Sequence, residues 1–583
     1  MISPTIVPTA RTGGHTSKIV SARDAMRLVR TGNTVAIGGF GGIAMPEELL
    51  NELVALYRAT DHDLSLGKPS DLTLVWTGCP ADAQQRGVQQ FTMPGMVKRI
   101  IGGHWAYGPA MYQLVRANQV EGYNLPLGVI TQLYRDIAAG KPGHVSRVGL
   151  GTFVDPRFGG GKLNSITTQN LVELLTIDGQ EFLFYKTFPI DVALIRATSA
   201  DPSGNLTMER EALTADTLSV AMAAHNTGGL VIAQVERIVD AGSLNPRQVK
   251  VPAALVDCIV VNSDPQAHQQ TGGSLYNPAF SSEIRVPLTS IAPMPMGARK
   301  IIARRAAMEL RPNSIVNLGI GMPEGIAVVA AEEKASDLMT LTAEPGIIGG
   351  VPAGGLDFGA AVNAQAVIDM PYQFDFYDGG GLDVTFLGLA QADREGSLNV
   401  SRFGPKLAGA GGFINISQNA KKVVFCGTFT AGELDVVVRN GKLLIERDGK
   451  FKKFVHAVEE RTFSGPYAAQ MGKDVQYITE RCVFRLTKEG LELTEVAPGI
   501  DIQKDILDRM DFKPVVNNPR LMDARIFAEP PMGLREDMLK LPPEARISYD
   551  EDRNILFMNF EDLELRSTKE IDEGNDYVRA LVG

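Results

Sequence analysis

The sequence predicts an α/β fold with two similar open parallel-sheet domains that face each other across a cleft, followed by a small C-terminal extension. Three observations support this prediction. Apolar strands alternate with helical segments, the two halves repeat one order of elements, and a Ser/Pro/Gln-rich stretch lies between the halves. Alternating strands and helices form parallel sheets covered by helices, and a cleft between duplicated domains is a natural ligand site.

The first repeated element is a buried strand that ends in a glycine-rich turn. In the first half, Thr34-Val-Ala-Ile37 leads into Gly38-Gly-Phe-Gly-Gly42. In the second half, a helix over 301–310 precedes Ser314-Ile-Val-Asn317, which leads into Gly319-Ile-Gly321. Glycine at a strand-to-helix turn lets backbone N–H groups approach an anion.

The second repeated element follows another apolar strand in each half. Ala200-Asp-Pro-Ser-Gly-Asn-Leu206 comes after Val192–Ile195, and Ala392-Asp-Arg-Glu-Gly-Ser-Leu398 comes after Val384–Leu387. Two matches in the same order indicate an internal duplication. We therefore expect an N-terminal domain over 1–275, a linker over 276–297, a C-terminal domain over 298–530 and an extension over 531–583.

Composition excludes several classes of protein. The net charge is −10, and the basic residues are scattered, which argues against nucleic acid as a partner. The four cysteines contain no C-x-x-C pair, so neither a zinc site nor a disulfide framework is indicated, and we expect no metal. No apolar run approaches the roughly 20 residues needed to cross a bilayer, and no secretion signal is evident. We predict a cytoplasmic protein; the alternative is that acid-free residues 1–23 form an organelle transit segment.

The most informative stretch is Leu341-Thr-Ala-Glu-Pro-Gly-Ile-Ile-Gly-Gly350. Proline disfavours the α region for the residue before it, so Glu344 is expected at an extended strand end beside a sharp turn. A carboxylate held there can face a cleft. The alternative is a surface turn whose glutamate is merely solvated.

Several glycine clusters could supply backbone donors. Val148-Gly-Leu-Gly-Thr-Phe153 contains a Gly-x-Gly turn whose closely approaching N–H groups suit an oxyanion, or else it is a loop with tight packing. Clusters over 379–388 and 409–412 suit an extended, amide-rich ligand, or else are sheet edges packed together. No turn has the acidic partner of a dinucleotide site, and no G-x-S-x-G elbow is present. His104, beside Trp105, is interpreted as a packed or hydrogen-bonded side chain rather than a metal ligand.

These segments together resemble the family I CoA-transferases of the fused single-chain type, which includes acetate/propionate and acyl-CoA:acetate/3-oxoacid CoA-transferases. The resemblance runs nearly end to end. The matching segments are Asn33–Phe40 with Pro46, Tyr123–Pro126, Gly149–Arg157, Asn317–Pro323, Glu344–Gly346 and Leu382–Gly388. It implies an enzyme that moves CoA between short-chain carboxylic acids through a glutamyl-CoA thioester on Glu344.

The resemblance also implies roles for other residues. Oxyanion donors are expected at Gly149, Gly151, Thr152 and Gly388, CoA-binding backbone at Gly319, Gly321, Gly388, Gly411 and Gly412, and an acyl pocket at Phe40 and Leu127. Coenzyme A is implied as a substrate, with acyl-CoA and small carboxylic acids as partners and no cofactor. A homo-oligomer, either a dimer or a tetramer, is also implied.

Two positions depart from the family pattern. Leu127 stands where the family usually has glutamine, and Ala44 where it often has glycine. The loss of an amide predicts a more apolar pocket, so we expect Leu127 to select bulkier acids or to reduce activity. Two alternatives stay open: a CoA-binding protein that has lost transfer, and a CoA-thioester hydrolase. A nicotinamide-dependent enzyme is less favoured, because the acidic ribose partner is missing.

Overall fold

Each half of the chain forms one large sheet, as seen in a computed structural model that describes residues 17–59, 68–287, 293–540, 546–560 and 567–582. Residues 1–16 of the proposed transit segment, and part of the predicted linker, lie outside the described residues. Most pairings within the two sheets are parallel, and helices cover them, which confirms the predicted α/β class.

The N-terminal sheet is parallel apart from one edge. In spatial order its path runs through Glu121–Asn124, Val97–Gly102, Leu72–Trp76, Thr34–Ile37, Val192–Ala200, Leu206–Thr207 and Val249–Val251, while Leu230–Ile238 pairs with both Val192–Ala200 and Cys258–Val261. The helices of this half are Ala22–Met26, Glu47–Arg58, Pro109–Arg116, Leu127–Ala138 and Thr217–Asn226. A separate antiparallel sheet comprises Gly143–Ser146, Gln180–Lys186 and Val172–Ile177.

The C-terminal sheet repeats this arrangement around five parallel strands. In spatial order these strands are Thr340–Ala343, Ile315–Leu318, Val384–Gly388, Lys422–Cys426 and Asp474–Ile478. Antiparallel strands extend one edge with Ile347–Ile348 and Ala366–Val367 and the other with Cys482–Thr487 and Gly490–Val496, after which Val515–Leu521 pairs in parallel. The helices of this half are Ala298–Ala307, Glu324–Glu332, Met370–Asp378, Phe413–Asn419 and Gly465–Gln470.

Both sequence repeats correspond to structural repeats. Thr34–Ile37 and Ile315–Leu318 each lie between two parallel neighbours near the middle of their sheet. In the other repeat, Asp201 and Asp393 accept hydrogen bonds from backbone N–H groups in the tight turns that follow. The duplication read from the sequence is therefore present in the fold.

The two halves share a core along the helix Leu127–Ala138. Its Gln132 amide donates to Asp375 at 3.1 Å and to Asp378 at 3.0 Å, and Arg135 forms a bidentate ion pair with Asp375 at 2.6 Å. One hydrophobic cluster includes residues of both halves. Polar and apolar contacts along this helix therefore join the two halves.

Smaller antiparallel elements follow the main C-terminal sheet. Asp435–Arg439 and Lys442–Arg447 form a hairpin, and Phe451–Lys452 pairs with Thr430–Ala431. In the extension, helix Leu534–Leu539 is followed by the hairpin Ile547–Asp550 with Ile555–Met558 and by helix Thr568–Val582. Among the described residues, no helix combines the length and apolarity needed to cross a membrane.

Candidate active site

Glu344 occupies the tip of a tight hairpin at the end of a parallel strand. Strand Thr340–Ala343 pairs antiparallel with Ile347–Ile348, and the Gly346 N–H donates to the Ala343 carbonyl at 3.1 Å. Gly346 has φ +121°, and a Cβ there would lie 2.0 Å from the Ile368 carbonyl oxygen, so only glycine fits. The predicted strand end and turn are confirmed.

A buried hydrogen-bond network anchors this hairpin from behind. The Tyr377 hydroxyl donates to Thr342 Oγ1 at 2.8 Å, and Thr342 Oγ1 donates to the Val316 carbonyl at 3.0 Å. The Gln373 amide donates to the Tyr377 hydroxyl at 2.8 Å. Connected buried hydrogen bonds restrict the side chains that they join, so this network holds the strand that leads to Glu344 in place.

Glu344 lines a cavity of about 180 Å³ between the two halves. The N-terminal half contributes Phe40, Gly41, Gly78, His104 and Tyr107. The C-terminal half contributes Asn317, Leu318, Gly319, Ile320, Glu344, Phe358, Leu387, Gly388, Val400, Phe413, Ile416 and the segment 408–412. Among these described lining residues none is lysine or arginine, and Glu344 is the one acid.

The electrostatics of Glu344 follow from its surroundings. Burial raises the pKa of its carboxyl from 4.5 to about 7, and the Gly412 N–H, which donates to the carboxylate, partly offsets this rise in pKa. The side chain nevertheless remains partly exposed to the cavity. A desolvated carboxylate with little hydrogen bonding, open to a cavity, can act as a nucleophile.

The structure brings together about half of the residues predicted for the site. Those that line the cavity with Glu344 are Phe40, Gly319, Gly388, Gly411 and Gly412. Gly321 does not line it, because it is exposed, with its carbonyl accepting a hydrogen bond from Arg299 at 2.8 Å.

The turn predicted to bind an oxyanion does not reach the cavity. The Gly149 N–H donates to Gln418 Oε1 at 2.9 Å, and the Gly151 N–H donates to Asp155 Oδ2 at 3.0 Å. The Thr152 N–H donates to the Gly149 carbonyl at 3.0 Å. These N–H groups stabilise the turn and its contact with the other half, so they are not free to bind an oxyanion.

Leu127 is also absent from the cavity wall. It is the first residue of helix Leu127–Ala138, its side chain is fully buried in the hydrophobic core, and its N–H donates to the Gly411 carbonyl at 2.9 Å. It therefore supports the wall through Gly411 instead of lining an acyl pocket. Ala44, the other departure, has φ +53°, a left-handed conformation that glycine adopts more readily.

Sequence reasoning missed two functional candidates, His104 and Tyr107. The His104 ring packs against that of Tyr107, with ring centroids 5.0 Å apart, but it is also partly exposed, which the interpretation as a packed or hydrogen-bonded side chain did not include. Within the described residues it has no side-chain hydrogen bond, although it lines the cavity. The position of His104 could have suggested a site residue, since it comes two residues after strand Val97–Gly102 and ligands bind at the carboxyl ends of parallel strands. No cluster of three potential metal ligands occurs in the part of the chain that the structure describes.

Comparisons with known proteins agree with this architecture. The model of the Coenzyme A transferase family matches residues 19–262. Caffeate CoA-transferase of Acetobacterium woodii is 45% identical over 524 residues, covering 89% of this chain and 99% of the relative. Acetate CoA-transferase YdiF of Escherichia coli K12 is 43% identical over 519 residues, covering 88% and 96%.

The solved structures include YdiF from another strain of E. coli. The crystal structure of the acyl-CoA transferase YdiF from E. coli O157:H7, as a thioester complex with CoA, superposes with a TM-score of 0.83. It is 41% identical and covers 89% of this chain and 98% of YdiF. The chain described here is therefore a CoA-transferase and belongs to the coenzyme A transferase family.

Proposed function

We propose that this enzyme moves CoA between short-chain carboxylic acids by a ping-pong mechanism through a glutamyl-CoA thioester on Glu344. The observation that carries the proposal is the placement of this one carboxylate. Glu344 stands at a strand end, in the wall of an otherwise uncharged cavity, with a single backbone N–H on its oxygens.

The first half-reaction would use Glu344 as nucleophile. A carboxylate oxygen attacks the thioester carbon of an acyl-CoA, and the carbon–sulfur bond breaks to give an acyl-glutamyl anhydride and CoA thiolate. The thiolate then attacks the glutamyl carbonyl carbon. The carbon–oxygen bond to the acyl group breaks, the donor acid leaves as its carboxylate, and Glu344 carries CoA as a thioester. No proton is consumed or released.

The second half-reaction reverses these steps with an acceptor acid. Its carboxylate attacks the glutamyl carbonyl and expels CoA thiolate, which then attacks the acyl carbon and restores the Glu344 carboxylate. Support comes from the relatives: YdiF of E. coli O157:H7 has been crystallised as a thioester complex with CoA. The relatives' names specify caffeate and acetate.

Cavity size supports short acyl groups. The cavity of about 180 Å³ is similar to engineered apolar cavities of about 150 Å³ that hold one benzene molecule, so an acyl group of up to about six carbons fits. Acyl-CoA and small carboxylic acids are the proposed partners, with CoA as substrate and no resident cofactor. A cytoplasmic location and a homo-oligomeric assembly, dimer or tetramer, remain predictions.

The absence of lysine and arginine from the described cavity wall suits this chemistry. A cation beside Glu344 would lower the pKa of its carboxyl and weaken it as a nucleophile. Burial has the opposite effect and raises the pKa to about 7. Because the ionised form must attack, we expect the first half-reaction to slow as the pH falls below about 7.

The test is exchange of a labelled carboxylic acid into acyl-CoA by wild type, Glu344→Gln and a matched control. Glu324→Gln is the control, because Glu324 is a nearby carboxylate paired with Arg299 at 3.4 Å. Glu344→Gln should lose at least about 10,000-fold in exchange rate, as nucleophile removal costs on the order of a millionfold in other enzymes.

The control should keep exchange close to the wild-type rate. Residual exchange above one hundredth of the wild-type rate in folded Glu344→Gln would contradict the mechanism. CoA release without added acid would instead support the hydrolase alternative, and CoA binding without exchange would support the alternative of lost transfer.

A further inference from the structure

Two polar side chains face the cavity without a hydrogen bond from the described residues: His104 and Tyr107. Both are partly exposed, and their rings meet edge to face with centroids 5.0 Å apart. Polar groups at a largely apolar wall commonly serve to orient a ligand. Glu344, by contrast, already receives the Gly412 N–H.

Both side chains line the same cavity as the nucleophile. A Cβ on Gly411 would lie 3.8 Å from His104 Cδ2, and a Cβ on Gly412 would lie 1.9 Å from Glu344 Oε2. His104 therefore lies beside Gly411, and Glu344 lies beside the next residue, Gly412. Tyr107 is close enough that the Glu344 charge, after burial, raises the pKa of its hydroxyl to about 12.

Each of these side chains carries one proton to donate at neutral pH. Burial lowers the pKa of the His104 imidazole to about 4, so the ring is neutral and keeps one N–H. The Tyr107 phenol stays protonated. Neutral donors avoid the ion pair that a lysine or arginine would form with Glu344.

Several backbone donors around the cavity are already used inside the protein. The Gly409 N–H donates to the Ser401 carbonyl at 3.1 Å, and the Gly411 N–H donates to the Gly103 carbonyl at 3.0 Å. The Ala410 N–H donates to Asn124 Oδ1 at 2.9 Å. The same holds for Gly319, whose N–H donates to the Phe386 carbonyl at 2.8 Å.

The proposed reaction needs donors at two positions, because it passes through tetrahedral centres at two carbons. When the glutamyl carbon is attacked, charge develops on a Glu344 oxygen, which the Gly412 N–H already contacts. When the acyl carbon is attacked, its carbonyl π electrons move to the acyl oxygen. That oxygen is a different atom and needs another donor.

We propose that His104 and Tyr107 donate hydrogen bonds to this acyl oxygen, an inference that rests on the proposed function. The same atom is a carboxylate oxygen of the acceptor acid before it reacts. His104 and Tyr107 would thus hold the acceptor acid and stabilise the charge on the acyl-centred intermediate, with no proton transferred.

The experiment separates the two carbonyl centres. Wild type, His104→Leu, His104→Gln, Tyr107→Phe and the apolar control Phe358→Leu are converted to the glutamyl-CoA thioester with excess acetyl-CoA. Each is then reacted with acetate, measuring acetyl-CoA formation, or with hydroxylamine, measuring loss of the thioester. Hydroxylamine attacks the glutamyl carbon directly and forms no acyl-centred intermediate.

His104→Leu should slow transfer to acetate about 100-fold and Tyr107→Phe about tenfold, while hydroxylamine cleavage stays within about twofold of wild type. His104→Gln keeps an N–H donor and should recover most of the transfer rate. Phe358→Leu should leave the ratio of the two rates unchanged.

Transfer by His104→Leu at the wild-type rate would overturn the inference. An equal slowing of both reactions would also overturn it, by assigning His104 a structural role. If wild type formed no thioester with acyl-CoA, the proposed function itself would fail, and that result would appear before any variant is compared.

Discussion

Two strands occupy equivalent places in the two sheets but are followed by residues of different chemical type. Leu72–Trp76 in the N-terminal sheet and Thr340–Ala343 in the C-terminal sheet each pair in parallel with the central strand that leads into a glycine turn. The residue after the first strand is Thr77, and the residue after the second is Glu344. The duplicated fold thus presents two similar strand ends, one of which carries the proposed nucleophile.

A carboxyl group with a raised pKa lies at each strand end, but the two groups differ in access. Asp216 is almost fully buried and accepts from Thr77 Oγ1 at 2.8 Å and from the Gly39 N–H at 3.2 Å. Burial raises its pKa to about 6, and it raises that of Glu344 to about 7. A raised pKa therefore does not distinguish the reactive carboxyl, whereas contact with a cavity does.

Among changes that keep Glu344, closing that access should have the largest effect. In Gly412→Ala, the new Cβ would lie 1.9 Å from Glu344 Oε2, so the carboxylate must move out of position. Gly412 has φ −81°, which alanine adopts without strain. We expect transfer to fall on the order of 1,000-fold with little loss of thermal stability, as measured by exchange kinetics and calorimetry.

Gly388→Ala is the matched control for this variant. Gly388 lines the same cavity, but a Cβ there would meet no atom within 4 Å. This variant should stay active and shift its preference toward smaller acids. Equal losses in the two variants would mean that general crowding, rather than displacement of Glu344, explains the effect.

The next effect is a pH-dependent difference in stability between wild type and Glu344→Gln. The unfolded chain releases the Glu344 proton near pH 4.5, whereas the folded protein holds it to about pH 7. The carboxyl group therefore loses its stabilising contribution as pH rises through this window. In urea unfolding, the free energy of unfolding of Glu344→Gln should rise relative to that of wild type between these pH values, by at most about 3 kcal/mol. It should show no further relative change above pH 7. A difference independent of pH would refute the raised pKa.

The smallest effect should come from Thr77→Val at the equivalent strand end. Valine removes the hydroxyl that donates to the buried Asp216 carboxylate, so we expect a loss of about 1–3 kcal/mol in unfolding free energy at pH 8. The loss should shrink below about pH 6, where Asp216 becomes protonated. Transfer activity of the folded variant should stay close to wild type. A large loss of activity would place this strand end in the chemistry as well.

Local patterns predicted much of this fold. The duplication follows from repeated strand and glycine-turn motifs, and the Glu344 turn follows from the restriction that Pro345 places on the residue before it. Each of these depends on neighbours along the chain. The hairpin of Asp435–Arg439 with Lys442–Arg447 is likewise encoded locally, by the Asn440-Gly441 turn.

The rest of the site depended on contacts between distant segments. The Gly149 turn resembles an anion-binding loop in sequence, but its N–H groups are taken by Gln418 and by its own turn. His104 is only an isolated histidine in the sequence, and the fold brings it beside Gly411, more than 300 positions away. Tertiary contacts around the cleft decide which hydrogen-bond donors have a partner within the protein. The spacing of residues along the sequence could not reveal this.

Peptide mass spectrometry can detect the proposed thioester on Glu344 itself. The enzyme is incubated with acetyl-, propionyl- or butyryl-CoA, digested, and analysed for the peptide that contains Glu344, before and after addition of a carboxylic acid. We expect a CoA adduct on Glu344 that the acid removes and that is absent from Glu344→Gln. CoA turnover without an adduct on Glu344, or an adduct on another residue, would contradict it.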